Sequence, residues 1–446
     1  MKELLQDVAR RADTYIAGLE HRAVAPSAEA IADLERLGGA LPEHGAPAAE
    51  TLDLLDRYGS PATVASTGSR YFGFVCGGSL PATVAANWMA GVWDQNAFGF
   101  VMSPAAVTIE AIAFNWLVDL LRLPTSTGGA LTTGATMANF TGLAAARHTL
   151  LKHAGWDVEE DGLFGAPAIP VIVGAEAHPT LYKSLALLGM GRRRVITVPV
   201  DSQGRMRADA FPKLDGPAIV CLQAGNVNTG AFDPIRELCE RTHEAGGWVH
   251  IDGAFGLWAR IVPGHAHLMD GLELADSFAT DGHKWLNVPY DCGIAFVKDP
   301  AMLRETMAIS AAYLPQTQHR EPRDFNPESS RRARGVEVWA ALRSLGRIGL
   351  SDLIDRNCRL ARRFAAQLSA AGFSILNEVV LNQVLVSFGS PEKTLEVVKR
   401  IQEDGTCWAG STVWQGKTAM RISVSSWATT EEDVDRSVAA MVKAAG

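Results

Sequence analysis

Four short runs of β-branched and apolar residues punctuate the middle of the chain: Ala168-Ile-Pro-Val-Ile-Val173, Val195-Ile-Thr-Val198, Ala218-Ile-Val-Cys-Leu222 and Gly247-Trp-Val-His-Ile251. Runs that stay apolar instead of alternating belong to strands covered on both faces. Helix-patterned stretches between them act as crossovers in a mostly parallel sheet. The expected fold class is therefore α/β, with a large domain over residues 75–330. Residues 1–74 read as helices, with Leu4, Leu5, Val8 and Ile16 at helical spacing. That segment has little core of its own and is expected to pack on a partner subunit. Beyond 331, helical patterns at Val336–Leu345 and Leu353–Ala370 precede strand-like Val384–Phe388 and Met420–Val424, an α+β arrangement expected to form a smaller C-terminal domain.

Composition narrows the class of protein. A chain of 446 residues with 47% apolar content can bury more than one core. A net charge of −8 argues against nucleic acid or an anionic membrane surface as partner. No apolar run reaches the roughly 18 residues that would span a bilayer. The opening Met-Lys-Glu-Leu-Leu-Gln-Asp is amphipathic and carries acid, unlike a secretory signal. Six scattered cysteines without a CxxC pair suit reduced thiols better than disulfides or a metal site. These features lead to the expectation of a cytoplasmic enzyme.

Open α/β sheets bind ligands at the carboxyl ends of their strands, and the reactive residues cluster there. Asp252 closes the strand-like Trp248–Asp252, and Lys284 follows in Ala279-Thr-Asp-Gly-His-Lys-Trp-Leu-Asn287. An amine and a buried carboxylate are what pyridoxal 5'-phosphate chemistry requires. The lysine forms an imine with the cofactor aldehyde, and the carboxylate keeps the pyridine nitrogen protonated so that the ring accepts electrons. Ala130–Asn139 is a run of small residues leading into the helical pattern Phe140–Leu150. Backbone N–H groups and a hydroxyl at a helix start suit a phosphate, with Gly134, Ala135 and Thr136 as its contacts. A lone lysine is ordinarily a solvated charge and small-residue helix starts are common; it is the combination that points to a site.

Further candidates lie close in sequence. His178 follows a strand end, where it can stack on the cofactor ring and relay protons or simply cap the next helix. In Gly225–Asp233, Asn226 or Asn228 either reaches the cofactor's phenolic oxygen or shapes the turn before Pro234. His283 is placed to contact phosphate or orient Lys284, and Asp281 to cap or order that loop.

Taken together, Thr133-Gly-Ala-Thr136, Ala177-His-Pro-Thr180, Gly225–Asp233, His250-Ile-Asp-Gly-Ala254 and Asp281-Gly-His-Lys-Trp-Leu286 resemble the pyridoxal-phosphate-dependent group II decarboxylases. That family includes the aromatic-amino-acid, glutamate, histidine and diaminobutyrate decarboxylases. The resemblance runs from Tyr71-Phe-Gly-Phe74 to Leu350 and returns at Met420–Val424. It implies the aspartate-aminotransferase-like fold and a homodimer with active sites at the subunit interface. It also implies Lys284 as the imine lysine, Asp252 at the ring nitrogen, Ala254 beneath the ring and His178 above it. Substrate amine then displaces Lys284, the bond to the carboxylate breaks as its electrons enter the ring, and protonation of the α-carbon gives the amine. Arg421 matches a position where some relatives hold the substrate carboxylate, a task suited to a guanidinium; its other reading is a core-edge arginine paired with an acid.

Two departures affect specificity. Relatives often carry a loop tyrosine that protonates the α-carbon. Here the corresponding loop, within 311–330, has Tyr313 at its start and Phe325 at the later position, while His319 offers an imidazole. In this family loss of that tyrosine tends to let oxygen intercept the reaction and yield an aldehyde, so oxidative decarboxylation–deamination is an alternative. An aminotransferase or carbon–carbon lyase would use the same lysine and aspartate. The wall Val75-Cys-Gly-Gly-Ser-Leu-Pro81 is smaller than in aromatic-amino-acid relatives, which leaves the substrate open.

Overall fold

The computed structural model describes residues 1–309 and 319–446; Tyr313 lies outside the described residues. The chain forms two compact units. One comprises Gly77–Ala361 and Asn377–Gln383, the other Met1–Cys76, Arg362–Leu376 and Val384–Gly446.

The first unit is built on seven strands: β1 (Gly128–Thr132), β2 (Val171–Gly174), β3 (Ile196–Val198), β4 (Ile219–Gln223), β5 (Trp248–Asp252), β6 (Ser277–Asp281) and β7 (Gly293–Val297). Their order is β1-β7-β6-β5-β4-β2-β3. From β3 across to β6 every pairing is parallel, whereas β7 runs antiparallel to both β6 and β1. The four expected strands are all present. The first starts late, at Val171, because Pro170 has no N–H to give a ladder; its carbonyl still accepts from Ile219 N at 2.9 Å. β1, β6 and β7 were not singled out by the pattern, since glycines, serine and threonine dilute their apolar content. Leu143, Leu150, Leu181 and Leu185, from helices Ala135–His153 and Pro179–Leu187, are buried against Val171, Val173, Ile219 and Cys221 of the sheet. Each such leucine is worth roughly 1.5–3 kcal/mol relative to exposure.

The second unit holds a four-stranded sheet of β8 (Ser374–Ile375), β9 (Gln383–Ser387), β10 (Gly410–Trp414) and β11 (Lys417–Ser423), in the order β10-β11-β9-β8. Gln415 and Gly416, both at positive φ (47° and 76°), make the two-residue turn between β10 and β11. Residues of the N-terminal stretch belong to this unit. Phe72 N donates to Trp408 O at 2.8 Å, Ser423 N donates to Phe72 O at 2.9 Å, and the Tyr71 and Trp408 rings stack 5.0 Å apart.

The division differs from the expected boundary at 330/331. The helix Gly335–Ala370 is broken only at Gly346 (φ 62°), and its first part is tied to the larger unit. Arg331 meets the buried Glu110 at 2.7 Å, Asn87 donates to Glu337 at 2.6 Å, and a Cβ on Gly335 would stand 2.7 Å from the Glu110 Cα. Polar anchors of this kind are invisible to a hydrophobicity pattern.

Candidate active site

The helix after β1 begins at Ala135, within the small-residue run expected to open it, with Gly134 as its N-cap residue. Ala135 and Thr136 thus form its first turn, where N–H groups lack intrahelical acceptors and the dipole favours an anion. The opposing strand comes very close: a Cβ on Gly293 of β7 would lie 2.3 Å from the Gly134 carbonyl carbon. Glycine at 293 is therefore a condition for the position of this helix start.

Lys284 stands just past the end of β6. Its Nζ is 2.9 Å from Asp281 Oδ2, while Asp281 Oδ1 accepts from Ala135 N at 2.6 Å. One buried carboxylate thereby ties the lysine to the helix start. The Trp258 indole N–H fixes the backbone there by donating to Asp281 O at 3.0 Å. His283 Nδ1 accepts from Cys292 N at 3.1 Å, and its ring packs on Tyr290 at 4.4 Å. Burial holds its pKa below the ordinary histidine value, against the opposing pull of Asp281.

Asp252, at the end of β5, is also buried. Its Oδ1 accepts from Ala254 N and its Oδ2 from Asn139 Nδ2, both at 3.2 Å. Ala254 O in turn accepts from Asp281 N at 2.9 Å, so the ends of β5 and β6 are laced together. Behind Asn139 lie His250, Ser277 and Trp248, an interior polar group in an otherwise apolar layer.

The other candidates fall as follows. His178 caps the helix Pro179–Leu187, with Nδ1 accepting from Thr180 N at 3.3 Å and 2.6 Å from Thr180 Oγ1. Ser184 of that helix donates to Thr136 O at 2.9 Å, which joins it to the helix start. Asn226 shapes its turn: Oδ1 accepts from Asn228 N and Thr229 N, and Nδ2 donates to Glu176. Asn228 is held in that turn by its backbone. Phe325 packs on the core cluster around Leu143 and Leu303, with the Arg320 guanidinium 4.4 Å from its ring centre. His319 stacks on Phe100 at 3.6 Å. Arg421 belongs to the second unit, on β11, where burial lowers its pKa.

Gly134, Ala135, Asp252, Ala254, Asp281, His283 and Lys284 thus form one bonded group, and His178 is linked to it through its helix. Sequence reasoning missed Asn139, His250 and Trp258 as parts of it. Asn139 stood one turn into the helix from Ala135, a polar residue between Ala138 and Phe140. The group suits pyridoxal phosphate: an amine held but not enclosed, a buried carboxylate, and a helix start kept clear by glycine.

The pyridoxal-dependent decarboxylase conserved domain matches residues 63–389. The chain belongs to that family. It is 30% identical to an aromatic-L-amino-acid decarboxylase of Drosophila lebanonensis over 395 residues, 82% of this chain and 95% of that one. It is 26% identical to tryptophan decarboxylase 1 of Oryza sativa subsp. japonica over 454 residues, 92% and 87% of the two chains. Among solved structures, an Oryza sativa TDC crystallised with PLP and tryptamine superposes with a TM-score of 0.91 at 23% identity, covering 100% of this chain and 97% of that one. The fold is the PLP-dependent transferase type, and the protein is a pyridoxal-phosphate-dependent carboxy-lyase that converts an amino acid to its amine.

Proposed function

We propose that Lys284, Asp252 and His178 carry this reaction, on an L-amino acid with an aromatic side chain, in a cytoplasmic homodimer. The observation that carries the reading is Lys284 Nζ, 2.9 Å from a buried carboxylate that also binds the helix start at Ala135. When bound, pyridoxal phosphate supplies an aldehyde for the amine and a ring that takes up the electrons of the breaking bond.

The chain's own residues do the rest. Asp281 orients Lys284 and takes up the Ala135 amide, so Thr136 would present the helix-start donor to phosphate, flanked by Gly134 and His283. Asp252 would hold the cofactor's ring N–H, and Ala254, whose amide donates to Asp252 Oδ1, would leave room beside it with its small side chain. Nδ1 of His178 already accepts from the Thr180 amide, so the neutral ring carries its proton on Nε2, the atom suited to moving a proton. Asn228 is assigned to the cofactor's edge.

The aromatic substrate class rests on the names of the two relatives above. A dimer is supported by apolar surface. The helix Lys2–Gly18 buries none of its residues, and Trp88, Met89, Val92 and Trp93 are 41%, 53%, 65% and 41% exposed along one helix. Six free thiols suit a reducing compartment.

A mass-spectrometric product survey with pooled aromatic, acidic and basic L-amino acids in aerated buffer tests the reading. Amine from an aromatic substrate is the expected product. An aldehyde with ammonia and peroxide would move the assignment to the oxidative route, and keto acids retaining the carboxylate would overturn it.

A further inference from the structure

The polar chain behind Asp252 has a direction that can be worked out from its two ends. Trp248 Nε1 is only a donor, and it gives its proton to Ser277 Oγ at 2.9 Å. An ionised Asp252 is only an acceptor, so at 3.2 Å from Oδ2 the amide of Asn139 must present its NH₂ group. Asn139 Oδ1 then faces His250 Nε2 at 2.8 Å and must accept, which places the imidazole proton on Nε2. Nδ1 is left as an acceptor, and it lies 2.8 Å from Ser277 Oγ, whose hydroxyl proton points to it. Every proton in the chain therefore points from Trp248 toward Asp252.

The sequence positions produce this arrangement. Trp248, His250 and Asp252 alternate along β5 and so share a face. Asn139 and Gly142, three apart, share the facing side of the helix Ala135–His153. Gly142 leaves the notch that His250 fills: a Cβ there would stand 2.8 Å from the imidazole Cε1 and Nδ1. Burial pushes the His250 pKa down to about 3, in keeping with a single ring proton. The titratable groups around it are Asp252 on its own strand and Cys221, its register partner on β4, whose thiol burial keeps protonated.

We infer that Asn139 and His250 are positioning residues, which hold the Asp252 carboxylate in one orientation as the acceptor for the cofactor's ring nitrogen. The inference rests on the role proposed for Asp252. A carboxylate free to rotate would lose the alignment on which a charge-assisted hydrogen bond depends. The relay does not touch the cofactor; it fixes the group that does.

The test compares His250→Phe, Asn139→Leu, His250→Gln and Asp252→Asn with wild type. Two readouts are used: the dissociation constant for pyridoxal phosphate, by absorbance titration of apoprotein, and the pH dependence of the bound cofactor's visible absorbance. The phenylalanine and leucine variants are expected to bind about tenfold or more weakly, the scale of one lost buried hydrogen-bond partner, and to shift the absorbance profile. His250→Gln, which keeps a neutral donor toward Asn139, should stay within about threefold of wild type and retain its profile. Should His250→Phe not fold, Asn139→Leu carries the test alone. Wild-type affinity and profile in Asn139→Leu, alongside an impaired Asp252→Asn, would overturn the relay. Wild-type behaviour of Asp252→Asn would overturn the role of Asp252 instead.

Discussion

The two reactive ends of the site are held in opposite ways. Asp252 is braced by a buried, neutral chain of directed hydrogen bonds running through Asn139 and His250. Lys284, 22% exposed, is held through its ammonium by an ion pair with Asp281, whose side chain is only 4% exposed. The difference follows their tasks. A group that must stay aimed at one ring atom gains from a network that leaves it a single orientation. A group that must bond, release and bond again gains from a contact that one movement of a flexible four-carbon stem can break.

Several experiments break or sharpen this contrast. Lys284→Ala removes the movable partner altogether. Covalent attachment of the cofactor should vanish and turnover should fall by at least about a thousandfold, while Asp252 and its relay still bind cofactor non-covalently. An unchanged spectrum and rate would refute the role of the lysine.

The braced side should show itself in the pH dependence of the apoprotein. His250 has a folded-state pKa of about 3 against an ordinary 6.5, so the unfolded chain takes up the proton first. Its contribution to stability is whole above pH 6.5 and is lost as pH falls, at up to roughly 1.4 kcal/mol per pH unit across that window. Urea titrations from pH 7 to pH 4 should lose this slope in His250→Gln. His283, whose pKa is also lowered by burial, adds to the loss in the same direction.

Gly293→Ala attacks the helix start that both sides share. The new methyl would overlap Gly134, so we expect a loss of about 1–3 kcal/mol in stability together with weaker cofactor binding. Thermal melts with and without cofactor separate the two effects. The mildest change is Asp281→Asn, which keeps an oxygen for the Ala135 amide but removes the charge facing Lys284. Attachment of cofactor should slow by about tenfold with little change in apoprotein stability. A drop in stability as large as that of Gly293→Ala would mean that Asp281 chiefly braces the fold.

How much of this could be read beforehand depended on the kind of signal. β2, β4 and β5 announce themselves because they are apolar at nearly every position, as buried parallel strands must be. β1, with two glycines, and β6, with serine, threonine and aspartate, carry no such pattern. The helix start was legible as a run of small residues, although Ala135 to Asn139 gives little amphipathic contrast to say which face is buried. Lys284 and Asp252 stood out through chemistry tied to short motifs. Asn139 could not, because its partner Asp252 is 113 residues away and only the fold brings them together. His250 sat inside a quoted motif without a role, since a buried histidine looks the same whether it is silent filler or a relay.

The most direct test of the account is borohydride reduction of the holoenzyme followed by peptide mass spectrometry. The account predicts a pyridoxyl group on the peptide containing Lys284, and on no other lysine. A label elsewhere, or none despite bound cofactor, would contradict it.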